Sequence, residues 1–280
     1  MPELAYLNGE FLPIDKALVP IEDRGYQFGD AVYEFIASYN GRLFYLEEHL
    51  DRLDRSLKGL SFPPVSRETL RKAVLTLFEK AEIQRAGIYI QVSRGVSPRN
   101  HAFPDDVHPQ IVMTIREVEE KPPELRKNGA AAITVEDFRW GRCDLKTVQL
   151  LPNVLAKQKA LTAGVFDAVF VSSEGVVREA TSSNICIVAD GTVITHPLTP
   201  QILPGITRMV VIDLCREVDI PVSERFFKTD ALYGAEEAFL TGTVTEVLPI
   251  VTIDGHRIGD GQVGPVTARL YDALRQHSVA

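Results

Sequence analysis

The interpretation of this chain depends first on two segments, Arg142-Cys143-Asp144-Leu145-Lys146 and Arg178-Glu179-Ala180-Thr181-Ser182-Ser183-Asn184. Each contains a side chain with useful chemistry, the amine of Lys146 and the carboxylate of Glu179. The chain contains 30 Lys and Arg and 38 Asp and Glu, and most such side chains lie on solvated surfaces. Either residue alone is therefore uninformative, and the segments must be considered together with the rest of the sequence.

Considered together, six segments in a fixed order resemble the fold type IV pyridoxal-phosphate enzymes and, among them, the D-amino-acid transaminases. The similarity extends from about Leu7 to the C-terminal helix. Besides the two segments above, its marks are Glu22-Asp23-Arg24-Gly25-Tyr26-Gln27-Phe28-Gly29-Asp30, His49-Leu50-Asp51-Arg52-Leu53, Arg94-Gly95-Val96-Ser97-Pro98-Arg99-Asn100-His101 and Leu203-Pro204-Gly205-Ile206-Thr207-Arg208.

The resemblance implies an α+β fold of two domains, with a small N-terminal α/β domain and a larger C-terminal domain that binds the cofactor at their interface. It also implies a homodimer. A length of 280 residues agrees with about two domains. We place the domains at 1–120 and 121–280, because the charged segment Glu117–Gly129 carries Pro122 and Pro123 and lacks apolar periodicity.

The composition excludes several classes of protein. A net charge of -8 argues against a nucleic-acid partner, which needs clustered Lys and Arg. The N-terminus lacks the pattern of a signal peptide, and no apolar run is long enough to cross a bilayer, so we expect a cytoplasmic protein without membrane contact. Cys143, Cys186 and Cys215 are too scattered for a metal site or disulfide framework, and we expect reduced, buried thiols.

Local patterns predict both strands and helices. Four turn signals between β-branched or aromatic runs predict hairpins and a largely antiparallel sheet: Asn8-Gly9, Asn40-Gly41, Asp190-Gly191 and Asp254-Gly255. Helical spacing of apolar residues appears in two sets, Leu46, Leu50, Leu53 and Leu57, then Leu70, Ala73, Val74, Leu77 and Phe78, with Ser66 as a candidate N-cap.

The remaining elements are predicted more coarsely. Strands are expected at 88–93, 110–115, 168–171, 185–188 and 238–241, and helices at 153–163, 206–216 and around Val266, Leu270 and Leu274.

The resemblance makes Lys146 the candidate Schiff-base lysine and the base that moves the substrate's α-proton. Glu179 would face the pyridine nitrogen of pyridoxal phosphate, where a carboxylate keeps the ring protonated and electron-withdrawing. The alternatives without a function are a solvated surface lysine at Lys146 and a solvated glutamate at a strand end at Glu179. The resemblance also assigns Ser182, Leu203 and Ile206 to the cofactor.

The cofactor phosphate requires N–H donors and a cation. Gly205 and Thr207 stand at the start of a predicted helix, whose N-terminal N–H groups and dipole favour an anion. Arg52 would add charge, although the wet face of a helix or ordinary capping would explain these residues equally well. The resemblance adds Gly242 and Thr243. At the position of Gly242 some relatives have serine, and Gly242 lacks that hydroxyl and can offer only its backbone to the phosphate.

Substrate binding would depend on Arg99 and His101 in a loop stiffened by Pro98. Arg99 can hold a carboxylate through two parallel hydrogen bonds, with Tyr33 and His101 as further donors. In the D-amino-acid transaminases the matching residues bind the α-carboxylate. Phe35 lies on the same strand face as Tyr33 and would border the side-chain pocket.

The sequence therefore predicts a D-amino-acid transaminase that exchanges the amino group of a D-alanine- or D-glutamate-type amino acid with 2-oxoglutarate or pyruvate. Three alternatives remain within the fold: a branched-chain L-amino-acid aminotransferase, an (R)-amine aminotransferase and an aminodeoxychorismate lyase. The last would eliminate the amine rather than transfer it. A non-catalytic binding protein on the same scaffold is the alternative from another class. No metal is expected.

Overall fold

A computed structural model describes residues 3–279, which divide into two compact units. The first unit comprises the residues up to Glu119 together with Leu145–Gln149, and the second comprises Glu120–Asp144 and the residues from Leu150 onward. Each unit combines helices with a β-sheet, which confirms the α+β class. Lys146 thus belongs to the first unit, although it follows residue 120 in the chain.

Within residues 3–119, six strands and three α-helices build the first unit. The strands are β1 (Leu4–Leu7), β2 (Glu10–Pro13), β3 (Ala31–Tyr39), β4 (Arg42–Leu43), β5 (Ala86–Ser93) and β6 (Gln110–Glu117). The helices are α1 (Arg24–Phe28), α2 (Leu46–Gly59) and α3 (Arg67–Ala81), and a 3₁₀ turn spans Ile14–Lys16. The strands form one antiparallel sheet in the order β2-β1-β6-β5-β3-β4.

The two long helices pack on one face of this sheet. Leu50, Leu53 and Leu57 of α2, and the predicted apolar positions of α3, join strand residues such as Val32 and Ile36 in one buried core. The Ser66 hydroxyl accepts a hydrogen bond from Thr69 N at 3.2 Å, which confirms the predicted N-cap.

The second unit contains five helices and nine strands among its described residues. The helices are α4 (Pro123–Asn128), α5 (Leu151–Thr162), α6 (Ile206–Glu217), α7 (Thr229–Tyr233) and α8 (Pro265–Val279). The strands are β7 (Ala130–Glu136), β8 (Asp167–Val171), β9 (Val177–Ala180), β10 (Asn184–Ala189), β11 (Thr192–Thr195), β12 (Val222–Glu224), β13 (Glu237–Gly242), β14 (Glu246–Ile253) and β15 (His256–Arg257).

The sheet of the second unit closes on itself. Its strand order is β12-β11-β10-β13-β14-β7-β8-β9, β15 pairs with β14, and β9 returns to pair with β10 through Glu179 and Asn184. Six strands therefore form a ring with a core that includes Ile185, Leu240 and Leu248. This closure brings the Glu179 segment beside the start of β10.

Turn chemistry explains the hairpins. All four predicted turn pairs have positive φ at both residues, for example 49° at Asn8 and 111° at Gly9, as two-residue hairpin turns require. They join β1 to β2, β3 to β4, β10 to β11 and β14 to β15, which confirms the prediction.

The sequence pattern predicts no element in the stretch around Pro122 and Pro123, which lacks apolar periodicity. It contains the short helix α4, which tolerates Pro123 because proline at the first helical position needs no N–H partner. The three cysteines are free and buried. No helix among residues 3–279 has the length and apolar character needed to cross a membrane.

Candidate functional site

The backbone of the first unit fixes Lys146 beside the start of β3. Tyr33 N donates a hydrogen bond to the Lys146 carbonyl at 2.9 Å, and Val148 N donates to the Ala31 carbonyl at 3.1 Å. Lys146 Nζ lies 4.1 Å from the centroid of the Tyr33 ring. The structure therefore brings together a predicted catalytic residue and a predicted substrate residue.

Ser56 connects the lysine segment to α2. Its hydroxyl accepts a hydrogen bond from Lys146 N at 3.1 Å and donates one to the Arg52 carbonyl at 3.0 Å. Leu145 packs so closely on Gly59 that a Cβ there would lie 2.6 Å from its Cδ2. These contacts hold Lys146 and the helix that carries Arg52 in a fixed relation.

Arg52 is buried rather than on the wet face of α2. Its Nε donates to Glu34 Oε1 at 2.7 Å and its Nη2 to Glu34 Oε2 at 2.8 Å. His49 Nδ1 lies 2.7 Å from the same Oε2. Glu34 is the strand residue between Tyr33 and Phe35, so its side chain projects to the opposite face, toward α2.

The Glu34 carboxylate is charged, whereas the neighbouring His49 imidazole is neutral. Burial alone would raise the pKa of Glu34, but the Arg52 guanidinium and the His49 hydrogen bond outweigh it and hold the pKa well below its usual range. Burial lowers the pKa of His49. Glu34 is therefore ionised, and a neutral His49 donates its Nδ1–H to the carboxylate.

Tyr33 and Phe35 share the other face of β3. The Tyr33 ring centroid lies 5.6 Å from that of Tyr89 on the neighbouring strand. Phe35 lies over Gly87, where a Cβ would lie 2.3 Å from its Cζ. Only glycine at this position leaves room for the Phe35 ring, which borders the same surface as Tyr33.

Arg99 and His101 lie in a loop that packs against α1. Arg99 Nη1 donates to the Gln27 carbonyl at 3.1 Å, and its guanidinium carbon lies 4.4 Å from the centroid of the Phe28 ring. The His101 ring lies 5.4 Å from Phe28. The contacts described for Arg99 and His101 are with α1, whereas those of Tyr33 are with Tyr89 and Lys146.

Glu179 of the second unit has a buried, strongly hydrogen-bonded carboxylate. Its Oε1 accepts from Arg139 Nη1, and its Oε2 accepts from Asn184 Nδ2 and from Leu203 N, each at 3.0 Å. The closing of the sheet between β9 and β10 explains the Asn184 contact. Glu179 is thus not a solvated glutamate at a strand end, which was the alternative without a function.

A chain of alternating charges stands behind Glu179. Arg139 also pairs with Asp137 at 2.9 Å, and Asp137 accepts from Arg178 at 2.8 Å. The Arg139 guanidinium lies 4.3 Å from the centroid of the Phe170 ring. Burial raises the pKa of Glu179, while Arg139 and the Leu203 N–H oppose that rise.

The predicted phosphate residues adopt a helix N-terminus. Gly205 is the N-cap of α6 without a capping side chain, and Ile206 and Thr207 begin the helix. A Cβ at Gly205 would lie 2.1 Å from Asn184 Oδ1, so only glycine fits beside the amide that holds Glu179. The first N–H groups of α6 therefore donate no hydrogen bond to an N-cap side chain.

The other predicted cofactor residues are close to these elements in the second unit. Gly242 ends β13, and a Cβ there would lie 2.9 Å from Ser183 Oγ. Ser182 is exposed, and Thr243 is half-buried. Opposite Asn184 on β13, the Thr241 hydroxyl is buried and has no hydrogen-bond partner among the residues that the structure describes.

Sequence reasoning missed several of these side chains. Glu34 and Ser56 carry no motif of their own, and His49 begins a quoted segment without having been assigned a role there; the roles of all three depend on pairing between distant segments. Arg139 also lacks a local signal. Asn184 could have been found, because it ends the segment that contains Glu179.

Comparison with known proteins finds a matching family and several similar proteins. Residues 31–253 match the family described as amino-transferase class IV. The chain is 41% identical over 273 residues to the D-alanine aminotransferase of Staphylococcus haemolyticus, covering 97% of this chain and 96% of that protein. The D-alanine aminotransferase of Bacillus licheniformis is 41% identical over 269 residues, with 96% and 94% covered.

Solved structures of related fold include branched-chain amino acid aminotransferases. That of Escherichia coli superposes with a TM-score of 0.92 at 26% identity and covers 99% of this chain and 94% of the other. A second enzyme of this type, from T.th. and determined with pyridoxamine 5'-phosphate, gives a TM-score of 0.92 at 27% identity with the same coverage.

Proposed function

Because the chain belongs to the class IV aminotransferases, we propose that it moves the amino group of a D-alanine- or D-glutamate-type amino acid to a 2-oxo acid, using pyridoxal phosphate. The observation that carries this proposal is the 41% identity to D-alanine aminotransferases over nearly the whole length of both chains. The acceptor would be 2-oxoglutarate or pyruvate.

The donor set of Glu179 fits the pyridine ring of this cofactor. An ionised carboxylate has about four acceptor positions on its two oxygens. Arg139, Asn184 and Leu203 N occupy three of them. The remaining position can accept one more N–H, which is what a protonated ring nitrogen provides.

The cofactor phosphate would be held by N–H donors and a cation. The N–H groups at the start of α6, beside Gly205 and Thr207, suit an anion, and Thr243 and the Gly242 backbone would add donors. Arg52 would supply the positive charge, held in orientation by Glu34. Ser182, Leu203 and Ile206 complete the proposed set.

When bound, pyridoxal phosphate supplies an electron sink that makes the α-proton of an amino acid acidic. Lys146 would hold the cofactor covalently through Nζ and, once displaced by the substrate amine, would accept the α-proton at Nζ and deliver it to the C4′ position of the cofactor instead of back to the α-carbon. Its backbone hydrogen bonds to Ser56 and Tyr33 fix the origin of the side chain, so Nζ moves on a constrained arm.

Arg99, His101 and Tyr33 would bind the substrate α-carboxylate. Arg99 offers a planar fork of donors that suits two parallel hydrogen bonds, while Tyr33 and His101 can each donate one. Phe35 would limit the side-chain pocket, since Gly87 leaves its ring room to lie flat against the sheet. A bulky ring at this place favours small substrates such as D-alanine.

A branched-chain L-amino-acid aminotransferase is the second candidate, and it is favoured by the TM-score of 0.92 with enzymes of that type. The identity to those enzymes is 26–27%, against 41% for the D-alanine aminotransferases. The sequence relationship therefore supports the D-specific proposal.

The resemblance also supports a homodimer in the cytoplasm. Four large apolar side chains of α5 are exposed, which favours a covering partner: Leu151, Val154, Leu155 and Leu161. Light scattering with size exclusion measures the mass; a monomer at micromolar concentration would contradict the dimer.

The proposed cofactor and lysine are tested by visible absorption of the purified protein reconstituted with pyridoxal phosphate. We expect a band of lysine-bound cofactor that D-alanine bleaches and L-alanine does not. Lys146→Ala should lack the covalent band and lose transamination, with Lys72→Ala, an exposed lysine of α3, as the matched control. A wild-type protein that stays colourless, or a fully active Lys146→Ala variant, would contradict the proposal.

A further inference from the structure

Arg24 is a buried arginine of α1 that the proposed mechanism does not use. It is 3% exposed. Its Nη1 donates to the carbonyls of Asn100 at 2.6 Å and Ala102 at 3.3 Å, and its Nη2 to that of His101 at 3.5 Å. One guanidinium thus contacts three consecutive carbonyls of the loop that carries Arg99 and His101.

The guanidinium is itself fixed from behind. Arg24 Nε donates to Asp30 Oδ2 at 2.9 Å, and the guanidinium carbon lies 4.9 Å from the centroid of the Phe28 ring. Phe28 is the same ring that Arg99 and His101 contact. Arg24 therefore lies under the loop, with its charge paired and its fork directed at the loop backbone.

The base of the loop is attached to the same helix. Arg24 N donates to the Gly95 carbonyl at 2.9 Å, and Asp23 forms a β-bridge with Val96. Gly95 has a φ of 131°, and a Cβ there would lie 2.5 Å from the His108 carbonyl oxygen. The loop is thus held at its origin by backbone contacts, and the Arg24 guanidinium binds the backbone carbonyls at its tip.

We propose that Arg24 is a positioning residue for substrate-carboxylate binding, because it holds the backbone around His101 and thereby orients Arg99 and His101. This inference rests on the proposed function, in which those two residues bind the α-carboxylate. Lysine could keep the pairing with Asp30, but a single ammonium cannot also reach three carbonyls. Arg24→Lys should therefore loosen the loop without removing any substrate ligand.

Arg94 supplies a matched control. It is also buried and donates to Asp30 Oδ2, at 2.8 Å, but its other hydrogen bonds go to the Ser61 and Leu60 carbonyls. The Arg94 guanidinium also lies over the Phe103 ring, and a lysine in its place would keep a positive charge beside that ring. Arg94→Lys disturbs the same carboxylate without removing a bond to the Asn100–Ala102 backbone.

The experiment measures competitive inhibition of the holoenzyme by propionate, a carboxylate without an amine, together with kcat and KM for D-alanine. Arg24→Lys should raise the propionate inhibition constant and the KM about tenfold, with a smaller effect on kcat. Amide hydrogen exchange at residues 99–102 should quicken in Arg24→Lys. Arg94→Lys should leave all these quantities near the wild-type values.

Arg99→Gln separates this inference from the proposed function. If Arg99→Gln leaves propionate inhibition unchanged, the proposed carboxylate site is wrong and the inference fails with it. If Arg99→Gln weakens inhibition but Arg24→Lys does not, the proposed function stands and only the positioning role is refuted. The loss in the double variant should be smaller than the sum of the two single losses, because part of the effect of Arg24 passes through Arg99.

Discussion

Replacing Glu34 by Gln tests whether burial makes the ion pair between Glu34 and Arg52 important for the free energy of unfolding. The side chains of Glu34 and Arg52 are 0% and 5% exposed, and Glu34 accepts two hydrogen bonds from Arg52 and one from His49. Gln removes the negative charge and presents an amide donor to one of the guanidinium donors. An uncompensated buried charge costs about 3–5 kcal/mol of unfolding free energy.

Glu47→Gln is the matched control, because Glu47 also accepts from two arginines, Arg67 and Arg71, but its side chain is 48% exposed. Pairs of this kind stabilise proteins by at most about 1 kcal/mol. The two variants therefore differ in burial rather than in chemistry.

Urea unfolding at pH 7, followed by circular dichroism, measures both variants against the wild-type protein. A loss below about 1 kcal/mol for Glu34→Gln, or equal losses for both variants, would show that burial does not strengthen the ion pair between Glu34 and Arg52. The pH dependence adds a second check. Because the pKa of Glu34 is lowered on folding, its contribution is present above the ordinary glutamate value of 4.5 and declines as the pH falls below it.

Three further outcomes are expected. Arg139→Gln removes a cation that opposes the raised pKa of Glu179, so the acid limb of the kcat/KM profile should move to higher pH; an unmoved limb would argue against electrostatic control by Arg139. Gly205→Ala should displace Asn184 and weaken pyridoxal-phosphate binding by about 1.5 kcal/mol, roughly tenfold, in a fluorescence titration, and unchanged affinity would show that Cβ is accommodated. Burial lowers the pKa of His49, so the unfolded chain binds a proton below about pH 6.5 that the folded chain does not. The urea midpoint of the wild-type protein should therefore decline from pH 7 to about pH 5.5, and that of His49→Gln should decline less steeply. Equal slopes would exclude His49 as the cause.

Local chemistry made much of the fold predictable from sequence. An Asn-Gly or Asp-Gly pair tolerates positive φ at both positions, so the hairpins followed directly. The leucines of α2 and the Ser66 cap likewise carry their signal within one helix length. These elements depend on neighbours in the chain.

The parts that sequence left open depend on distant pairing. Arg52 lies among charged residues of α2, and only the buried Glu34 of β3 distinguishes it from the solvated face. Arg139 and Glu179 meet only when the second sheet is folded, and Lys146 joins β3 through backbone hydrogen bonds that no side-chain pattern records. Resemblance to a family predicted Arg52, Glu179 and Lys146, but it did not predict the side chains that hold them, such as Glu34 and Arg139.

The chirality of the product shows whether the protein transfers amino groups between D-amino acids and 2-oxo acids. The holoenzyme is incubated with 2-oxoglutarate and either D-alanine or L-alanine, and the glutamate formed is resolved on a chiral column. We expect D-glutamate from D-alanine and no glutamate from L-alanine. L-glutamate as the product, or amino transfer from L-leucine in preference to D-alanine, would contradict the account and favour a branched-chain L-aminotransferase.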